Sequence, residues 1–327
     1  MSTRQREVPT PTAAPTALLK HASPRDYGVL FVFVALFIAL SIASPTFFSG
    51  GNLANLLDQA SVWGIVSCGV TLTIVSGIFD LSIGSIYAVA AIVAVFVGSS
   101  AGAPAGFVAA VAAGAGMGVL NGLAVTLGRI NSFIATLATA FIFGGLAIVI
   151  TGGKIVTTTN LAFRVMNESP FADITAASWL FIGIAVATGL LLAATGYGRA
   201  LYAIGGNREA ARLSGLRITL NHVAVLALSG ACAGAAGIID ASRTGSAQAS
   251  MGGVSLTITA IAATVIGGTS IMGGEGAIWR AVIGVFILVL IGNGFNLLGI
   301  SAIYQEVVQG ALILLAVILD QVFRRRE

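Results

Sequence analysis

Apolar runs of about twenty residues recur along this chain, separated by short polar breaks. Twenty apolar residues in a helix span the hydrocarbon core of a bilayer, and in lipid every backbone polar group must be satisfied within the protein. The chain is therefore restricted to a bundle of membrane-spanning helices. Mean hydropathy is +1.00, and only 9% of the 327 residues are charged. No soluble domain of this length has that balance. The 42 glycines, with many Ala and Ser, suit helices that pack closely against one another in lipid.

Ten spans are expected, at 27–44, 53–76, 81–100, 104–127, 131–151, 178–195, 220–239, 254–272, 277–298 and 302–322. They form one transmembrane domain over 27–322, preceded by a disordered polar tail at 1–26 and followed by a basic tail at 323–327. With the N-terminus inside, thirteen Lys and Arg residues face the cytoplasm, and only Lys154, Arg164 and Arg243 face out. This agrees with the positive-inside rule and returns Arg324, Arg325 and Arg326 to the cytoplasm.

An internal repeat supports the count. Gly77-Ile78-Phe79-Asp80 closes the second span, and Gly237-Ile238-Ile239-Asp240 closes the seventh. Asn121-Gly122-Leu123 and Asn293-Gly294-Phe295 close the fourth and ninth. Five is odd, so two five-span units must be inverted with respect to each other, as in many transporters.

The polar residues offer little chemistry. No G-x-x-x-x-G-K-[ST] phosphate cradle occurs, so the chain does not use ATP itself. His21 and His222 stand apart, and Cys68 and Cys232 lie in apolar stretches without metal-ligand spacing. The chain is read as no enzyme: no catalytic, cofactor or metal site is expected, and no nucleic-acid partner. Gly114, Gly116 and Gly118 read as a packing face. Glu306, within the last span, must face the bundle or a pore. A proton relay would want several such acids aligned at mid-membrane, and they are lacking.

Asp80 is costly at membrane depth, about 2.5–3.5 kcal/mol at a helix centre, so it faces protein or water. It either caps the third span, with Ser82 or Ser85 as alternative caps, or belongs to the translocation path. Asp80, Ser82, Asn121 and Asn293 are taken as residues of the path or its supporting turns.

One charged insert stands out, Arg208 to Arg217, REAARLSGLR, in the cytoplasmic loop 196–219. Asn207 can cap a short helix starting at Arg208, Glu209 suits its first turn, and Gly215 can end it. On spacing alone this is equally a docking helix or a solvated linker.

Glu209-Ala210-Ala211-x-x-x-Gly215 resembles the EAA loop of ABC importer permeases. The preceding Gly198–Asn207 string resembles the form found in monosaccharide permeases of the ribose, xylose and arabinose type. GIFDLSIGS at 77–85, NGLAVTLGRINSFIATLAT at 121–139 and VIGGTSIMGGEGAIWRAVIG at 265–284 are similar to the same family. Ile78 stands where that family usually has a second glycine, and Asn131 where it often has proline. The resemblance implies a homodimeric permease of a bacterial inner membrane that moves a monosaccharide. It also implies a periplasmic substrate-binding protein and a cytoplasmic ABC ATPase as partners. Glu209, Ala210, Ala211, Arg212 and Gly215 carry over as the ATPase-coupling helix. A permease for another small polar solute, such as a branched-chain amino acid or a furanose signal, and an ion-coupled carrier are the competing readings.

Overall fold

The computed structural model describes residues 24–301 and some residues between 303 and 314. The helices are α1 (Pro24–Ala43), α2 (Gly50–Val75), α3 (Ile83–Ala101), α4 (Ala103–Leu127), α5 (Ser132–Thr151) and α6 (Ala176–Ala194), followed by α7 (Gly196–Gly206), α8 (Arg208–Leu213), α9 (Ile218–Thr244), α10 (Gly253–Ile266) and α11 (Ile278–Leu297). A 3-10 helix, Leu161–Asn167, lies between α5 and α6. The extended segments β1 (Val156–Thr157) and β2 (Ser246–Ala247) pair antiparallel.

Seven of these helices (α2, α3, α4, α5, α6, α9 and α11) are long and apolar enough to cross a membrane, and shorter apolar helices run over Gly28–Ala43 and Gly253–Ile266. The protein is an all-α polytopic membrane protein. Each of the first nine expected spans falls on one of these helices. The tenth, with Gln305 and Glu306, lies mostly outside the described residues, as do residues 1–23 and the basic end. The described part of α1 runs from Pro24, so helix covers the last three residues of the expected tail.

The bundle is organised around α2 and α9. Their apolar windows are 83% and 72% buried, against 22% in α5 and α6, which form the outside. α4 lies on α9 through glycines. A Cβ on Gly114 would stand 2.2 Å from the Gly230 carbonyl oxygen, and one on Gly118 would stand 2.1 Å from that of Leu226. Hydrogens at these positions let the two backbones meet, which is how helices gain packing energy in lipid. Gly116 does not share in this, because nothing lies within 4 Å of it. A period of 3.6 puts residues 114, 118 and 122 on one face and 116 on the other.

Two of the helices begin against each other. After Val75 the chain turns at Gly77 (φ 77°) and runs back into the protein before α3 begins. From the other direction, the chain after α9 passes through β2 before α10 begins at Gly253. The two N-termini meet. The Gly84 N–H donates to Thr257 Oγ1 at 3.1 Å, and a Cβ on Gly84 would lie 1.9 Å from the Gly253 carbonyl oxygen. The Gly237–Asp240 string, by contrast, does not end its helix. α9 continues to Thr244 and stops at Gly245, which is left-handed.

Candidate functional site

The first site is α8. Asn207 Oδ1 accepts from the Ala210 N–H at 3.0 Å, as a side-chain N-cap. Glu209 and Arg212 form a two-pronged pair: Nε donates to Oε2 at 3.1 Å and Nη2 to Oε1 at 2.6 Å. The Arg212 guanidinium, by hydrogen bond first and by charge second, holds the Glu209 carboxyl below its ordinary range. At the other end the Leu216 N–H donates to the Ala211 carbonyl and the Gly215 N–H to that of Arg212. This is a Schellman stop, and Gly215 takes the left-handed conformation it requires (φ 85°). Ala211 is buried with Ile204, Ile218 and Leu216. Arg208, Glu209, Ala210, Arg212 and Leu213 are exposed, Leu213 at 77%. The helix thus has one inward anchor and a mixed, preformed outer face.

The end of α7, next to α8 in the chain, is tied to the bundle largely through backbone. The C-terminal end of α7, the turn after α2 and the loop before α11 converge. The Gly274 N–H donates to the Val75 carbonyl at 2.9 Å. A Cβ on Gly205 would stand 1.9 Å from that same carbonyl oxygen, and Tyr202 OH donates to the Gly276 carbonyl at 2.6 Å.

The second site follows from that junction. The turn from Gly77 to Ser82 leads to Asp80, which is buried at 3% exposure. Asp80 Oδ1 accepts from the Ser82 N–H (3.1 Å) and Ser82 Oγ (2.6 Å). Its Oδ2 accepts from Ser229 Oγ of α9 at 2.9 Å. Asn121 Nδ2 of α4 donates to Ser82 Oγ at 2.6 Å. The turn's own Phe79 and Leu81 N–H groups donate to Ser132 and Thr136 of α5. Asp80 therefore caps the approach to α3 through an Asx turn and also binds α9. Ser82 occupies the N-cap position but makes no cap bond, because its hydroxyl is committed to Asp80.

Three of the four polar residues singled out above therefore come together, and the fourth does not. Asn293 lies on α11 and pairs with Asn52, which begins α2 (Nδ2 to Oδ1 2.8 Å). The sequence reading missed Ser229, which only the fold brings to Asp80.

A third group stands toward the far end of α9. Arg243 Nη2 reaches Asp58 Oδ2 at 2.9 Å and its carbonyl at 2.7 Å. Arg243 Nη1 reaches Asp240 Oδ1 at 3.5 Å. Tyr87 of α3 donates to the other oxygen of Asp240. Thr175 Oγ1 donates to Asp58 at 2.6 Å. These pairs were not singled out from the sequence. An acid and a base three apart near the end of an apolar helix were the available signal.

Residues 52–317 match the family described as branched-chain amino acid transport system, permease component. The chain belongs to that permease family. It is 41% identical to the ribose import permease of Bacillus subtilis over 295 residues, covering 89% of this chain and 90% of that protein. It is 39% identical to the L-arabinose transport system permease of Escherichia coli over 297 residues, covering 90% of each. The permease is a multi-pass protein of a bacterial inner membrane.

Proposed function

We propose that this permease is the membrane subunit of a binding-protein-dependent ABC importer for a monosaccharide. The observation that carries the proposal is α8: a capped, stopped, exposed helix whose Glu209–Arg212 pair is formed before any partner arrives. Preformed geometry lowers the ordering cost of docking. An ABC ATPase subunit grips the outer face of α8, and the Gly77–Gly205–Gly274 junction carries its movement to the α2–α3 turn and to α11. Asp80, Ser82 and Asn121 hold that turn in shape, while Asn293 holds the start of α2 against α11.

In this reading the permease works as a homodimer that receives sugar from a periplasmic binding protein. It has ten spans in two inverted five-helix units, with both termini in the cytoplasm. The meeting of the α3 and α10 N-termini supports the inversion, since these are the third spans of the two units and equivalent elements meet at a repeat interface. The similarity to ribose and arabinose permeases supports the sugar. Release demands loose binding, so the sugar's identity rests mainly with the binding protein.

Reconstitution with an ATPase subunit and a binding protein tests this. ATP-dependent uptake of a pentose or hexose is expected; uptake driven by a proton gradient without ATP would overturn it. The family description also names branched-chain amino acids, and ATP-driven uptake of leucine in place of sugars would support that reading instead.

A further inference from the structure

A polar cavity lies outside both α8 and the Asp80 network. It measures about 200 Å³ and lies at the end of the bundle away from α8. α9 has 27 residues, about 40 Å of helix, and Asp240 and Arg243 are in its last two turns. Three helices line the cavity, each through residues three or four apart: Gln59 and Trp63 of α2, Asp240 and Arg243 of α9, Val289 and Gly292 of α11. Residues so spaced share one helix face, so three stripes converge on one volume.

We infer that this cavity is a binding site for a single neutral sugar ring, seated between the Trp63 indole and the Asp240–Arg243 pair. The inference rests on the monosaccharide reading above and assigns that reading a place in the protein. Size supports it: a 150 Å³ protein cavity accepts benzene, so about 200 Å³ admits a ring of similar breadth with its hydroxyls. The lining chemistry matches a polyol, whose hydroxyls each donate and accept. Asp240 accepts, Arg243 donates, and the exposed Gln59 amide does both. The indole and Val289 offer apolar surface to the C–H faces of the ring.

Charge decides against other solutes. Arg243 is already shared by Asp58 and Asp240, so the cluster carries one positive and two negative groups. Among the described residues the cluster is net negative, which disfavours the carboxylate of an amino acid, while the buried, unpartnered Arg243 Nε–H stays open to a neutral hydroxyl. The donors and acceptors are also held in place beforehand. Tyr87 fixes one oxygen of Asp240, while Asp58 and Ser61 fix the Arg243 guanidinium, the latter at 3.0 Å. The site therefore costs little ordering when a ring enters.

The test uses the full permease in liposomes, with Trp179→Phe and Trp279→Phe leaving Trp63 alone among its three tryptophans. D-ribose, L-arabinose, D-galactose and L-leucine are titrated, and Trp63 fluorescence is read. A saturable change is expected with at least one sugar and none with leucine. The midpoint should rise roughly tenfold in Asp240→Asn, which loses a hydrogen bond to a charged group, and about threefold or more in Gln59→Ala, which loses a neutral one. Gln59 is exposed, so its variant keeps the test valid should the α9 variant fold poorly. Uptake by the complete importer is measured beside it. If that importer moves a sugar while Trp63 responds to none, the cavity is not the site and the importer reading stands. If it moves no sugar, the importer reading fails whatever Trp63 reports. A leucine response, or a sugar response indifferent to both variants, also overturns the site.

Discussion

Glu209 faces outward and bonds only to Arg212, so its replacement disturbs a surface and leaves the bundle intact. Glu209→Lys reverses the charge opposite Arg212 and is expected to abolish ATP-driven uptake while the protein still inserts, as measured by transport and membrane fractionation. Gly215→Pro should do the same by a different route. Proline is fixed near φ −65° and cannot take the left-handed angle at 215, so the stop and the Leu216 contact with Ala211 are lost. Asp80 behaves differently, since it is buried and accepts three hydrogen bonds. Asp80→Leu strands the Ser82 and Ser229 donors, at about 1–3 kcal/mol for each buried group left unpaired. Asp80→Asn keeps an acceptor for Ser82 and can donate to Ser229. Thermal unfolding in detergent should therefore fall much further for the leucine variant, and equal losses would show that the turn does not depend on these bonds.

Helices α4 and α9 touch at their backbones, so their contact is all-or-none. Gly118→Val would drive a side chain into the Leu226 carbonyl, from which even a Cβ stands 2.1 Å away. Separating the helices strips contacts along their whole length, and overpacking in a tight core costs about 1–3 kcal/mol or more. Gly116→Val, on the opposite face, should be nearly silent. Expression and unfolding temperature of the two variants compare them directly. The sequence identified these glycines as a packing face but did not separate 116 from its neighbours, which the helical period does once the partner's position is known. α9 shows a related limit: the Gly237–Asp240 string resembles Gly77–Asp80, yet one stays helical and the other unwinds. The difference arises because Val75, Gly77, Gly205 and Gly274 pack together at the first, whereas Tyr87 and Arg243 hold Asp240 within a helix at the second.

Across the whole molecule, charge distribution sets orientation. Single cysteines at Arg208 and at Lys154, in a background with Cys68 and Cys232 replaced by alanine, should react with an impermeant thiol reagent from opposite sides of the membrane. Arg208→Cys should label only from the cytoplasm and Lys154→Cys only from outside; the reverse pattern would invert the topology. Both native cysteines are buried and free, so their removal should alter little.

Run length, charge bias and the Asn207…Gly215 pattern are local properties. From them the sequence by itself determined a polytopic helical bundle, nine of its helices with bounds off by at most six residues, and the capped helix α8. Propensity, hydropathy and capping act over a few residues, so they can be read in one dimension. The tertiary structure alone decided which polar groups meet. It brought the motifs at 77–85, 121–139, 198–207 and 265–284 to one end of the bundle, around a single turn. It joined Asp80 to Ser229 and set Asn293 apart with Asn52. It also assembled Gln59, Trp63, Asp240 and Arg243 from two helices far apart in the chain. Such meetings depend on how helix faces rotate and cross, which small residues permit but do not specify singly.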